Sequence, residues 1–104
     1  MVFQKIAFKV SNYDEWVSGF KNHGSVRKNF SCTGTSVYTD SGNKLAVSVI
    51  LEWADKDKMQ QFGGSDELKT AMKNSGVVSP PEVSFSDTNS FDVSQMDFQF
   101  KTDS

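Results

Sequence analysis

The sequence is poor in the residues that build disulfide and metal frameworks. Among its 104 residues it has one cysteine, Cys32, and one histidine, His23. A single cysteine excludes an intrachain disulfide and a zinc site built from thiolates, and one histidine among scattered acids has no metal-ligand spacing. We therefore expect no metal site and no tightly bound cofactor, and the low cysteine content fits a reducing compartment.

The sequence also lacks a concentrated basic patch and a long apolar run. It has 11 Lys and Arg against 13 Asp and Glu, and the lysines are spread among the acids. This distribution does not neutralise a row of phosphates, so nucleic acid is not an expected partner. Residues 1–10 alternate apolar and polar side chains, whereas a signal peptide or a membrane span needs a continuous apolar block. We expect a cytoplasmic protein with no membrane partner.

The alternation over residues 1–10 is instead typical of a β-strand with one apolar face. Asn12, followed three residues later by Glu15, then forms a capping-box-like helix start. The helix that follows carries a stripe of residues at three- and four-residue spacings: Tyr13, Trp16, Phe20, His23, Arg27 and Phe30. Gly24 weakens this helix because glycine is a poor helix former.

Two runs with strand character, residues 33–39 and 45–53, flank turn residues and predict a hairpin. In the second run the odd-numbered residues are apolar and the even-numbered ones are mixed. A strand that is partly apolar on both faces is expected between two layers. One layer is the chain's own helices. We expect the other to be the sheet of a second subunit, which predicts a homodimer through the sheet faces.

The rest of the core predicts a second helix in two parts and a last strand. Gly63 and Gly64 interrupt the helix formers of residues 55–62 before a second segment begins at Ser65. Residues 82–86 alternate after Pro80 and Pro81 and predict a strand. The order is then βαββαβ, the ferredoxin-like α+β arrangement, over a domain of residues 1–88.

The C-terminal extension, residues 89–104, begins with a polar stretch. Met96, Phe98 and Phe100 then alternate with polar residues and predict an extra strand. Such a strand can pair with an open sheet edge of its own subunit or of the partner. A mobile tail is the alternative.

Four stretches of the sequence resemble a known family: VSNYDEW at residues 10–16, FKNH with VRK at residues 20–28, LEWAD at residues 51–55 and SGVVSPPEV at residues 75–83. They are similar to segments of small dimeric α+β barrel proteins related to the antibiotic biosynthesis monooxygenases and polyketide cyclases. The resemblance spans residues 2–87. It implies two sheets packed face to face and a pocket between the helices and the sheet of each subunit.

The resemblance does not decide the activity, because the superfamily includes cofactor-free oxygenases, cyclases and haem-degrading enzymes. The haem-degrading members use a histidine ligand from the later helical region. This chain has no histidine there. Haem is therefore not expected.

His23 and Arg27 are the candidate catalytic residues because they share one helical stripe with Trp16 and Phe20. Burying a charged group costs several kcal/mol unless it is paired or hydrogen-bonded. The stripe is therefore expected to face either a polar cavity or a carboxylate partner. In the functional interpretation His23 is a general base or hydrogen-bond donor, and Arg27 binds an anionic or enolate oxygen.

The structural interpretation stays open beside the functional one. In it, Arg27 pairs with Glu52 or Glu82, and His23 is a satisfied residue near the middle of the helix. The candidate substrate-binding residues are aromatic side chains that would wall a pocket or supply a phenol: Trp16, Phe20, Tyr38 and Trp53.

Two functions follow from these alternatives. The first is a cofactor-independent enzyme of the monooxygenase or cyclase kind that acts on a small aromatic or polyketide-like molecule. The second is a non-catalytic dimeric module that binds a ligand or simply assembles. The scarcity of diagnostic catalytic residues favours the second function.

Overall fold

The computed structural model describes residues 1–104 and has α+β architecture. Four helices lie on one face of a five-stranded sheet. The elements are β1 Val2–Lys9, α1 Tyr13–Asn22, α2 Gly24–Asn29, β2 Cys32–Asp40, β3 Asn43–Trp53, α3 Lys56–Gly63, α4 Asp66–Asn74, β4 Glu82–Ser86 and β5 Met96–Thr102. The predicted ferredoxin-like order is confirmed, with a fifth strand added to it.

The sheet is antiparallel throughout, with the strand order β4-β1-β3-β2-β5. The predicted hairpin of β2 and β3 lies at its centre, together with β1. The two strands that follow the second helical region, β4 and β5, form its opposite edges. Of the two states predicted for the C-terminal part, the structure shows a strand, and it pairs with β2 of the same chain.

The two faces of the sheet follow from the two-residue period of the strands. Residues of β3 that face the helices are Val47, Val49, Leu51 and Trp53, each at most 4% exposed. Full burial of such apolar side chains contributes roughly 1.5–3 kcal/mol each. These four residues therefore form the centre of the core, as their alternation predicts.

The first helical region is divided in two. The side chain of Asn12 accepts a hydrogen bond from the backbone N–H of Glu15 at 3.0 Å, which confirms the predicted cap of α1. The predicted stripe, however, runs over two helices, because α1 ends at Asn22 and α2 begins at Gly24. Glycine weakens a helix interior, so the break falls at Gly24 and leaves His23 between the two helices.

The later helical region begins each of its two helices with a side-chain cap. The carboxylate of Asp55 accepts hydrogen bonds from the backbone N–H groups of Asp57 and Lys58 at the start of α3. The hydroxyl of Ser65 accepts one from the backbone N–H of Leu68 at the start of α4. These caps satisfy backbone groups that a helix start leaves without a partner.

The connection between β4 and β5, residues 87–95, crosses the face of the sheet that carries no helix. We call this connection the strap. β4 ends at Ser86 beside Phe3, whereas β5 begins at Met96 beside Asp40 on the far side of three strands. The strap passes Lys5, whose charge helps to lower the pKa of Asp92 after the larger effect of hydrogen bonds from Ser94.

The open face is already partly buried within one chain. The mixed face of β3 was expected to be covered by the sheet of a second subunit. Within the single chain Ile50 is already only 5% exposed and Ser48 only 8%. Both residues are buried in a single copy of the chain, so their burial does not by itself require a partner.

Candidate functional site

A small cavity lies between the helices and the sheet. Its volume is about 80 Å³, and eleven of its fifteen lining residues are hydrophobic. β1 and β3 form its floor, α1 and α2 one wall, and α4 the other. Four of the predicted site residues line it together: Trp16, Phe20, His23 and Arg27.

Arg27 is the most unusual residue of the cavity, because its guanidinium is buried without a carboxylate side chain as partner. The residue is 4% exposed. Its Nη1 donates to the backbone carbonyl oxygen of Phe20 at 2.7 Å, and its Nε donates to a main-chain oxygen of Ser104 at 3.2 Å. Its Cζ lies 3.7 Å from the centroid of the Phe20 ring, a cation–π contact. Burial lowers the pKa of Arg27 to about 10, so the group stays charged at neutral pH.

The carboxylate partners predicted for Arg27 are absent from its surroundings. Glu52 pairs with Phe3 across the open face of the sheet, and Glu82 is exposed at the β4 edge. Both carboxylates therefore lie on the side of the sheet away from α2. The prediction of an ion pair with either of them is wrong, because the period of the strands points them to the opposite face.

His23 lines the cavity from the junction between α1 and α2. Its backbone N–H donates to the carbonyl oxygens of Gly19 and Phe20, which ends α1. Its imidazole makes no hydrogen bond to another residue of the chain, and the side chain is half-buried. Both ring nitrogens are therefore free to bind a molecule that enters the cavity.

The apolar wall of the cavity is an aromatic cluster on α1 and β1. The rings of Trp16 and Phe20 are stacked, with centroids 5.0 Å apart, and the Trp16 ring also contacts Phe8 at 5.5 Å. Trp16 is 4% exposed. These contacts hold the Phe20 ring in the place where it meets the guanidinium of Arg27.

Two of the predicted substrate-binding residues lie elsewhere. Tyr38 points to the open face of the sheet, where its ring meets that of Phe98 at 5.6 Å. Trp53 is fully buried in the core, and its Nε1 donates to Oε1 of Gln4 at 3.0 Å. The structure does not bring either side chain to the cavity that contains His23 and Arg27.

The wall formed by α4 is the part that the sequence reading missed as a site. Leu68, Ala71, Met72 and Ser75 line the cavity, and none of the residues of α4 is fully buried. Their spacing of three, four and seven residues places them on one helix face. This spacing can be recognised in the sequence. Spacing alone, however, does not distinguish a helix face that lines a cavity from one that packs into the core.

The cavity has a positive electrostatic character. His23 and Arg27 are the only titratable residues that line it, and no carboxylate does. Cys32 lies near enough to Arg27 to interact with its charge. Burial raises the pKa of the Cys32 thiol, so at neutral pH the thiol supplies no compensating negative charge. The arrangement favours an anionic group on a ligand that enters.

Two further properties of the whole chain concern metals and membranes. No group of three or more His, Cys, Asp and Glu side chains that could hold a metal ion occurs in the structure. None of its helices has the length and apolar character needed to cross a membrane.

Known proteins resemble this chain in structure but not in sequence. No family model and no curated protein matches it. A protein of Bordetella bronchiseptica assigned to the antibiotic biosynthesis monooxygenases superposes with a TM-score of 0.70 at 16% identity, covering 84% of this chain and 96% of that one. SnoaB, a cofactor-independent oxygenase of Streptomyces nogalater, gives a TM-score of 0.68 at 12% identity, covering 86% and 94%.

A third solved structure contains a ligand. A monooxygenase of Streptomyces coelicolor in complex with nanaomycin D superposes with a TM-score of 0.53 at 19% identity, covering 82% of this chain and 84% of that one. Identities this low establish the fold and leave the activity open. The chain thus has the ferredoxin-like α+β fold of the antibiotic biosynthesis monooxygenase-like proteins, as the four sequence stretches indicated.

Proposed function

We propose that this chain is a cofactor-independent enzyme of the monooxygenase or cyclase kind that acts on a small aromatic or polyketide-like molecule. The observation that carries the proposal is a buried guanidinium, Arg27, that faces an apolar cavity lined by no carboxylate side chain. A buried charge without a side-chain counter-ion is costly, so a site that keeps one is suited to an anion. The likeness to a cofactor-independent oxygenase supports the same conclusion.

The residues of the cavity suit a substrate that can form a carbanion or enolate. His23 takes a proton from a carbon next to a carbonyl group, and the electron pair moves onto the carbonyl oxygen. Arg27 stabilises the oxygen anion that results, while Trp16 and Phe20 pack against the rings. In an oxygenase the electron-rich carbon then reacts with dioxygen, and in a cyclase it attacks a second carbonyl carbon of the same molecule.

The size of the cavity shows what binding requires. A cavity of about 150 Å³ is enough for benzene, and drug-sized ligands occupy about 300–1,000 Å³. The cavity here is about 80 Å³, so the walls must separate before an aromatic ring can enter. The wall that is packed least deeply into the core is α4, because none of its residues is fully buried. In this proposal α4 moves away from α1 to admit the substrate.

The proposal is tested with anthrone as the probe, because its acidic methylene group forms an enolate. Oxygen uptake is measured with the unaltered protein and with His23→Gln and Arg27→Met. We expect each variant to lower the rate by about 10²–10³-fold, since each removes a group that acts on the transition state. Tyr38→Phe is the matched control, because Tyr38 lies on the opposite face of the sheet, and its rate should not change.

A non-catalytic module that binds a small anionic aromatic molecule is the second candidate function. It is favoured by the imidazole of His23, which has no hydrogen-bonded neighbour to orient it as a catalytic base. Calorimetric binding of anthrone without oxygen uptake in the unaltered protein would decide for this module. Equal oxygen uptake by the unaltered protein and both cavity variants would exclude the site proposed for the enzyme.

We also propose that the protein acts as a homodimer through the open faces of its sheets and that it is cytoplasmic. The dimer is supported by Phe98, an apolar side chain on this face that is 58% exposed. The cytoplasmic location is supported by Cys32, which is free and would be unusual in a compartment that forms disulfides.

A further inference from the structure

One glycine of the cavity wall, Gly19, lies inside helix α1. Glycine is the residue least favourable to a helix interior after proline, and Gly19 does not have the positive φ that commonly requires glycine. The other use of glycine is to let a second segment approach the backbone closely. That segment is the end of α4, because a Cβ at position 19 would lie 3.1 Å from Cβ of Ser75.

The contact between Gly19 and Ser75 sets the distance between two walls of the cavity. Both residues line it, one on α1 and one at the end of α4. Carbon atoms in ordinary contact are about 3.5–4.0 Å apart, so a methyl group at position 19 needs about 0.4–0.9 Å more room. Outside the backbone of α1, the only atoms within 4 Å of this methyl group are Cβ and Cα of Ser75. The methyl group would therefore separate α4 from α1 and would not fill the cavity.

The end of α4 is anchored, so Ser75 cannot slide past an added methyl group. The backbone N–H of Ser11 donates to the carbonyl oxygen of Gly76 at 2.9 Å. Two residues further on, the backbone N–H of Val78 donates to the carbonyl oxygen of Lys9 at 2.9 Å. These bonds tie the chain directly after Ser75 to the end of β1 and its continuation. Extra bulk at position 19 is then relieved by lifting α4 away from α1, which widens the cavity.

The part of Ser75 that fixes this spacing is its Cβ and not its hydroxyl. The hydroxyl donates within its own helix, to the carbonyl oxygens of Ala71 at 2.6 Å and Met72 at 3.4 Å. Each of these oxygens has a second donor, the backbone N–H of Ser75 for Ala71 and that of Val77 for Met72. Alanine at position 75 should therefore keep the spacing, whereas glycine should remove it.

We infer that the contact between Gly19 and Ser75 determines the specificity of the cavity, which favours substrates with a single ring over substrates with three fused rings. This inference rests on the proposed function, because it narrows the class of substrate. The cavity of about 80 Å³ must already widen to admit one ring, for which about 150 Å³ is enough. A contact between backbone and Cβ holds the two walls close, so each further ring requires a larger separation. The anionic group of the substrate meets Arg27.

The test measures the dissociation constants of two acids by calorimetry, benzoate and anthracene-2-carboxylate. They have the same anionic group and differ in the number of rings. We expect Gly19→Ala to change the ratio of the two constants about tenfold in favour of anthracene-2-carboxylate, the low end of what one methylene in an apolar pocket decides. The double variant Gly19→Ala with Ser75→Gly should return the ratio to that of the unaltered protein, because the Cβ that the methyl group meets is gone.

Two single variants are matched controls. Ser75→Ala removes the hydroxyl and keeps the Cβ. Gly63→Ala also replaces a helical glycine by alanine, but no atom lies within 4 Å of the added methyl group. Neither control should change the ratio. If Gly19→Ala does not fold, Ser75→Val is read in its place, because it adds bulk to the same contact from the side of α4.

An unchanged ratio in Gly19→Ala overturns the inference, and so does a change that Ser75→Gly does not reverse. Failure of the unaltered protein to bind benzoate also overturns it. These outcomes are separate from the oxygen uptake that tests the proposed function. Uptake that depends on His23 and Arg27, together with an unchanged ratio, keeps the enzyme and removes the determinant. A changed ratio without oxygen uptake keeps the determinant in a module that only binds.

Discussion

At the scale of the residue, Arg27 determines how the cavity is interpreted. Each carbonyl oxygen that Arg27 contacts has a second donor. The carbonyl of Phe20 also accepts from the backbone N–H of His23, and that of Ser104 also accepts from Oγ1 of Thr102. Removing the guanidinium therefore leaves neither oxygen without a hydrogen bond.

We predict that Arg27→Met changes the free energy of unfolding by no more than about 1 kcal/mol, because both oxygens keep a second donor and no carboxylate side chain is left unpaired. Urea unfolding followed by circular dichroism measures this change. Arg27→Glu is the contrasting variant, since it buries a charge and should cost at least about 3 kcal/mol. A loss of that size from Arg27→Met would make Arg27 a structural residue and weaken the proposed function.

The grouping of His23 and Arg27 with Trp16 and Phe20 was predictable, because residues on one helical stripe share one side of the chain. The partners of Arg27 were not. They are main-chain oxygens, one of them 77 residues away in sequence at Ser104. No side-chain pattern identifies a backbone oxygen as a partner, and its position depends on where β5 pairs.

At the scale of the element, two glycines near helix ends have different backbone conformations. Gly76, after α4, has a φ of 81°, and a Cβ there would lie 2.8 Å from Oγ of Ser11. Its carbonyl oxygen accepts from the backbone N–H of Ser11 at 2.9 Å. Gly63, the last residue of α3, has no positive φ and no atom within 4 Å of where a Cβ would be placed.

The same substitution should therefore act in opposite directions at these two positions. Gly76→Ala should destabilise the fold by about 1–2 kcal/mol, because the left-handed backbone is strained for alanine. Gly63→Ala should be neutral or stabilise it by up to about 1 kcal/mol, because alanine favours the helix. Thermal unfolding of both variants measures the difference, and equal shifts would contradict the conformation given for Gly76.

Strands were easier to predict than helix limits. The alternation in β1 and β3 gives each residue its face directly, because one face is buried. The region from Tyr13 to Phe30 has a single helical stripe, yet it forms two helices that meet at His23. The stripe continues because the break at Gly24 changes the path of the chain only locally.

At the scale of the whole molecule, the strap joins two strands that lie at opposite edges of the sheet. The extra strand was predictable from Met96, Phe98 and Phe100, but its sheet edge was not. Pairing with an edge depends on what the connection can reach, and the sequence of residues 87–95 contains turn residues that do not indicate a direction. The route across the open face is visible only once β4 and β5 are placed at opposite edges.

The two tryptophans of the chain lie in different environments, and their fluorescence can report on each environment. Trp16 stacks on the Phe20 ring at the wall of the cavity, whereas Trp53 is sealed in the core with its indole N–H held by Gln4. A molecule that enters the cavity changes the surroundings of the Trp16 indole. The surroundings of the Trp53 indole stay unchanged. The fluorescence of the unlabelled protein thus contains both a sensor for cavity occupancy and an internal reference for the intact fold.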